Sequence, residues 1–237
     1  MNIVVISAGR SGSNWLVKSL HSENVINLRE FFNKRLDGKN KITAQDLEYL
    51  YPNPKIRESI YKYLCKSRIS YVTFKSIENK IRCNNKYCLF KLLHRHYQHH
   101  KLVVDRIIDD SYLIIGLYRN NILDSYISLK KSLLTNSWWT DSNSPQPFDK
   151  NKIKINWNLA DYIKFYTERV SAIKWIKSFR PTTNHLLFSY EEIHLNSYIT
   201  TNKNKVDYIK KKILDQTGLY INFNHDYSSF FQKENRL

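Results

Sequence analysis

Ile3-Val4-Val5-Ile6 is an unbroken β-branched run, and Ser7-Ala8-Gly9-Arg10-Ser11-Gly12 follows it at once. A run without polar alternation predicts a strand covered on both faces, the middle of a sheet with helices on either side. The small residues after it predict a tight turn. From Ser13, the placing of Trp15, Leu16, Ser19 and Leu20 predicts a helix. Gly9 and Gly12 allow positive φ and close approach to the backbone. Free amides at a helix start favour an anion. Ser11, Ser13 and Asn14 add neutral donors, and Arg10 adds a fixed positive charge. This is the chemistry of a phosphate cradle, although an ordinary strand-to-helix turn with a surface Arg has the same outline. It is not a Walker A loop, which needs four residues between its glycines and then Lys-Ser/Thr; Gly9 and Gly12 are three apart.

Further along, strand-like runs occur at Tyr71 to Phe74, Tyr87 to Phe90, Tyr112 to Tyr118 and Leu186 to Phe188. Helical spacing occurs over Lys55 to Ser67 and over Asn121 to Leu134. The clearest helix is Asn158 to Lys177, where Leu159, Ile163, Tyr166, Val170 and Ile173 form the expected buried stripe. Trp138 to Asn156, with Pro145 and Pro147, reads as a loop. Strands alternating with helices predict an α/β fold of three layers, a largely parallel central sheet with helices on both faces. With no repeat or low-complexity linker in view, residues 1–237 are expected to form one domain.

The chain carries 38 Lys and Arg against 21 Asp and Glu, a formal charge of +17. That surplus favours an anionic partner: nucleic acid, an acidic membrane, or a phosphorylated or sulfated ligand. A composition rich in Lys, Asn, Ile and Tyr also fits an AT-rich coding bias, which would produce the charge without a function. Cys65, Cys83 and Cys88 cannot all pair within the chain, so reduced thiols and a cytoplasmic setting are expected. No signal peptide is expected, since no basic residue precedes Ile3 to Ile6. Tyr112 to Tyr118 is too short to span a bilayer.

Arg10-Ser11-Gly12-Ser13-Asn14-Trp15-Leu16, just after the first strand, resembles the 5′-phosphosulfate loop of the sulfotransferases that use 3′-phosphoadenosine 5′-phosphosulfate (PAPS). Asn14 stands where those loops usually carry a hydroxyl. Trp15 stands where the cytosolic branch sets a Trp against the adenine. Tyr112 to Lys130 is similar to the family's second anchor, for the 3′-phosphate, and most of all to bacterial enzymes resembling the trehalose-modifying sulfotransferase. The resemblance implies Arg119 and Ser128 there, with Ser125 on the same helical face. Arg119 lies nine residues before Ser128, and Asn120 lies eight before it, the family's usual spacing. Asn27 to Asn33 is similar to a Glu-Phe/Tyr-Phe segment whose Glu is the general base, which implies that role for Glu30. The neighbouring Arg29 is expected to lower the Glu30 pKa. Ser189-Tyr190-Glu191-Glu192-Ile193 resembles a late Tyr-Glu-Asp/Glu-Leu signature of mainly structural role. Lys91 matches a Lys that related enzymes carry near a core-strand end, within reach of substrate.

The resemblance thus implies a P-loop-like sulfotransferase that moves a sulfuryl group from PAPS to a hydroxyl, or an amine, of a carbohydrate, lipid or small metabolite. Residues 10–14 would hold the 5′ end, Trp15 would stand against the adenine, Arg119, Ser125 and Ser128 would hold the 3′-phosphate, and Glu30 and Arg10 would carry the chemistry. No metal is needed in that scheme, and nucleic acid is not an expected partner. Three rivals stand beside it. A phosphotransferase with a degenerate loop would need a metal-binding acid, for which Asp105, Asp109 and Asp110 are candidates. A non-catalytic nucleic-acid binder would use the +17 charge. A relative that has lost activity would fit the Asn14 and Asn120 replacements. His94, His96, His99 and His100 lie near Cys83 and Cys88 without zinc-site spacing, and a basic, solvated helix is expected there. Lys210-Lys211-Lys212 is expected on a solvated helix face.

Overall fold

The structure is a computed structural model that describes residues 1–20, 24–33, 47–48, 50–66, 70–109, 111–135, 154–179, 184–195 and 201–218. In chain order the elements are β1 (Asn2–Ser7), α1 (Ser13–Ser19), β2 (Val25–Asn27), α2 (Pro54–Lys66), α3 (Tyr71–Cys83), β3 (Tyr87–Leu93), α4 (His94–Ile107), β4 (Tyr112–Tyr118), α5 (Ile122–Thr135), α6 (Leu159–Ser178), β5 (His185–Ser189), α7 (Tyr190–His194) and α8 (Asn202–Thr217). Among the described residues the strands form one sheet in the order β2-β3-β1-β4-β5, and every pairing is parallel.

The β1 run is buried along its whole length, as its composition predicts. Its alternate residues feed two cores. Val4 and Ile6 face one that also takes Phe74, Ile77 and Ile81 of α3, Val104 and Ile107 of α4, and Ala172 and Ile176 of α6. Ile3 and Val5 face the other, with Trp15 and Leu16 of α1, Ile193 of α7 and Ile209 and Ile213 of α8. The result is the three-layer sandwich read from the sequence. Gly116 of β4 is required by packing, because a Cβ there would come within 2.6 Å of Leu187 and 2.9 Å of Ile176.

Three readings change. Tyr71 to Phe74 begins α3 and is not a strand. The Ser70 side chain accepts a hydrogen bond from the Thr73 amide at 3.1 Å and caps the helix. The buried stripe Phe74, Ile77, Ile81 then continues at helical spacing. On α6 the helix is as predicted but the face is not. Leu159, Ile163 and Tyr166 are exposed, whereas Phe165, Ala172 and Ile176 are buried. Finally, α4 is not solvated all round: His96 and His100 are buried on the side that carries Val104 and Ile107 into the core.

Pro145, Pro147 and Asp110 lie outside the described residues. Among those described, no helix is long and apolar enough to cross a membrane, and no three metal-ligand side chains gather.

Candidate active site

Because the strands are parallel, the chain leaves all of them on one edge of the sheet, the edge where open α/β folds hold ligands. The segments with candidate chemistry leave there: residues 8–12 after β1, 28–33 after β2, His94 after β3, 119–121 after β4 and Tyr190 after β5. Asp109 precedes β4 and so lies at the opposite edge, bonded to Ser111 at 3.0 Å. Asp105 is tied to Lys101 at 2.9 Å. Neither is beside the first loop.

The turn between β1 and α1 holds Arg10 at φ 64 and Gly12 at φ 78. Only glycine suits the second position. Beyond the φ, a Cβ there would come 3.2 Å from the Tyr190 ring and 3.4 Å from His194 Nε2. The turn sends the Arg10 side chain across to α5. Its Nη2 donates to Ser128 Oγ at 2.7 Å and its Nε to the same oxygen at 3.2 Å. The two segments singled out as anion sites therefore meet directly, although 118 residues separate them in sequence. Ser11 is buried, and its hydroxyl has no partner among the described residues. Ser125 is not an open donor, since its hydroxyl donates back to the Asn121 carbonyl at 3.3 Å.

Arg119 pairs with Asp124 at 3.0 Å and lies over the Tyr190 ring, 4.3 Å from its centroid. Its Nε is buried without a partner among the described residues. Asn120 contributes its backbone amide: Glu191 accepts from the amides of Asn120 and Asn121 at 3.1 and 2.9 Å and fixes the turn before α5, while the Asn121 side chain caps the helix by accepting from the Asp124 amide at 3.0 Å. Glu192 closes a capping box with Ser189 and pairs with Lys212 at 2.8 Å. Lys212 is thus pinned against β5 rather than solvated. Tyr190 stacks on His194 at 4.4 Å, and Trp15 meets His194 edge-on at 5.0 Å. Trp15 is buried, in the core cluster that also holds Leu16 and Ile193. Burial, with Lys205 and Arg119 nearby, lowers the His194 pKa to about 3 and keeps the ring neutral.

Glu30 is set by its neighbours. Leu28, Phe31 and Phe32 sink into the core, with Phe31 and Phe32 against Phe74 at 5.3 and 5.8 Å. Backbone bonds from Leu28 to Leu89 and from Lys91 to Arg29, each 2.7 Å, hold the turn on β3. That leaves Glu30 facing Lys91 with 2.6 Å between charges and each side chain 4 % exposed. Lys91 also donates to Asn14, and Asn33 donates to the other Glu30 oxygen at 2.8 Å. Burial alone would raise the Glu30 pKa. The Lys91 ammonium outweighs it, aided by His96 and the Asn33 bond, and the carboxyl lies below its usual range. The direction matches the sequence expectation, but the cation responsible is Lys91 and not Arg29.

Sequence reasoning missed Arg169. It sits on α6, stacked on Phe165 at 4.5 Å, and donates to the Gly9 carbonyl at 2.5 Å. Burial, together with Arg95 and Arg10, lowers its pKa to about 10. It reaches the loop because α6 docks on the face carrying Phe165, Ala172 and Ile176, a face whose apolar signal is diluted by Arg169 itself. Arg10, Arg169, Arg95 and Lys91 make the surroundings of the loop strongly cationic.

No protein-family model matches this sequence, and no curated protein does. Solved structures similar to it include two sulfotransferase domains. One is the sulfotransferase domain from the curacin biosynthetic pathway, at 12% identity and TM-score 0.54, covering 93% of this chain and 75% of that one. The other is the sulfotransferase domain from the Synechococcus PCC 7002 olefin synthase, at 13% identity and TM-score 0.54, covering 93% and 74%. At such identities a likeness speaks for architecture. With its all-parallel sheet and helices on both faces, this chain has the P-loop-like sulfotransferase fold.

Proposed function

We propose that the chain is a PAPS-dependent sulfotransferase acting on a hydroxyl, or an amine, of a carbohydrate, lipid or small-metabolite acceptor. The observation that carries the reading is the contact between Arg10 and Ser128. It brings the segment proposed for the 5′-phosphosulfate and the segment proposed for the 3′-phosphate side by side, which supports a donor charged at both ends. The residues present fit that donor. The unpartnered Ser11 hydroxyl and Arg119 Nε offer buried donors to anionic oxygens, and the Tyr190 ring offers a flat face beside Arg119.

When bound, PAPS supplies a sulfuryl group attached to a phosphate leaving group. Arg10, Ser11, Ser13 and Asn14 hold its 5′ end, and Arg119 and Ser128 hold its 3′-phosphate. Positioning and charge stabilisation then do most of the work, as in phosphoryl transfer. Glu30 takes the acceptor's proton as the acceptor oxygen bonds to sulfur. The electron pair of the broken sulfur–oxygen bond leaves with the phosphate, and Arg10 meets that growing charge. The test is transfer of labelled sulfate from PAPS to a panel of sugar, lipid and small-molecule hydroxyls in EDTA. Label on an acceptor is the expected result. Phosphate transfer from ATP that needs Mg²⁺, with none from PAPS, would contradict it.

A further inference from the structure

Lys91 is a buried cation held between two half-sites. Its ammonium lies 2.6 Å from the Glu30 carboxylate and also donates to Asn14, inside the loop proposed for the donor. Asn14 is neutral, so the only full charge opposing Lys91 among these contacts is that of Glu30. While the pair stands, Glu30 is a poor base, because one oxygen is held by the ammonium and the other by Asn33 at 2.8 Å. A carboxylate in that state does not readily accept an alcohol's proton. The reading of Glu30 as a base therefore needs something that loosens Lys91.

We propose that Lys91 is a donor-operated restraint on Glu30: without donor its ammonium holds the carboxylate and Asn14 together, and a sulfuryl group seated at residues 10–14 draws the ammonium away and frees Glu30 to take the acceptor's proton. This rests on the donor reading above. A lysine suits the task. Its charge is compact and its four-carbon stem flexible, so it can trade one anion for another with little backbone movement, which the fixed fork of an arginine could not do.

The groups around Glu30 agree. Lys91 faces it from β3, His96 from α4 and Asn33 from its own turn. Burial, with Arg95, Lys91 and His100 close by and only Glu30 opposing, lowers the His96 pKa to about 3, so the ring is neutral and cannot replace the ammonium. Arg95 is exposed on α4 and bonds His96 at 3.4 Å. Once Lys91 moves, burial becomes the dominant influence on Glu30, and burial raises a carboxyl pKa. The base is then strong only in the loaded site. Lys91 acts on the reaction through Glu30, so it is a positioning residue.

The test follows Glu30 itself. The full chain is labelled with ¹³C-glutamate, and the Glu30 signal is identified as the one missing from Glu30→Gln. Its titration midpoint is read with and without saturating PAPS, acceptor absent, while calorimetry on the same sample reports donor binding. The expected midpoint is below the ordinary glutamate value without donor and higher by about one pH unit or more with it, a tenfold gain in basicity. In Lys91→Met the midpoint is expected to be high from the start and unmoved by PAPS. Should that variant fail to fold, the wild-type pair of titrations still decides. Heat of binding with an unmoved midpoint overturns the restraint and leaves the donor reading standing. No heat of binding overturns both.

Discussion

In the proposed reaction Arg10 and Glu30 divide the chemistry between them, and each makes a separable prediction. Arg10 reaches across to Ser128, so Arg10→Ala removes a charge from the proposed leaving phosphate without emptying a core. We expect sulfuryl transfer to fall by about 10²-fold or more, with the urea midpoint nearly unchanged. Full turnover in that variant would exclude the loop from catalysis. Glu30→Gln keeps the size of the side chain but removes the proposed base and one of its two acceptor oxygens. We expect kcat to fall roughly 10²–10⁴-fold, while calorimetry gives an unchanged affinity for 3′-phosphoadenosine 5′-phosphate. A matching loss of affinity would assign Glu30 to donor binding instead. Both side chains could be picked out in the sequence because each belongs to a short local pattern. Lys91 was legible as a candidate too, but its pairing with Glu30, 61 positions away, was not, and Arg169, 160 positions from Gly9, was not legible at all. Neither carries a local signal of the contact it makes.

The strands could be read because both of their faces are buried. Runs such as Tyr112–Tyr118 are then apolar throughout, and no polar alternation confuses them. β2 has three residues, too few to leave a pattern. The helices kept their period and hid their orientation. Serines at 125 and 132 on α5 are buried, and so is most of Arg169 on α6, while Leu133 and Leu159 are exposed. A hydropathy stripe therefore points to the wrong face of α6 and is only partly right on α5, where Tyr126 is buried and Leu133 is not. The turn before α5 gives a prediction at this scale. Glu191 accepts from two amides just ahead of the helix that carries Ser128. We expect Glu191→Ala to cost roughly 1–3 kcal/mol in urea unfolding, the worth of hydrogen bonds to a charged acceptor, and to weaken binding of 3′-phosphoadenosine 5′-phosphate as Arg119 and Ser128 lose register. Loss of stability with unchanged affinity would confine the contact to folding.

Across the whole molecule, cations outnumber anions by 17, and two histidines are buried neutral. His96 and His194 have folded pKa values of about 3, against roughly 6.5 in an unfolded chain. As pH falls below 6.5 the unfolded chain takes up these protons and the folded chain does not. Stability is therefore full above that pH and declines down to about pH 3, by up to ~1.4 kcal/mol per pH unit for each histidine. Urea unfolding at pH 7 and pH 5.5 is expected to record that loss, and His194→Gln to reduce it. A pH-independent midpoint would contradict the buried, neutral rings. The central claim is that the carboxyl edge of the sheet grips one nucleotide at both ends, at residues 10–14 and at Arg119 and Ser128. Thermal unfolding with 3′-phosphoadenosine 5′-phosphate, beside AMP, ADP, ATP and 3′-AMP at equal concentration, tests it most directly. A ligand at 100 times its Kd adds about 2.7 kcal/mol to the folded state. The account predicts a clear rise in Tm with the doubly phosphorylated nucleotide and little with any of the others. Equal shifts from all five, or none from the first, would contradict it.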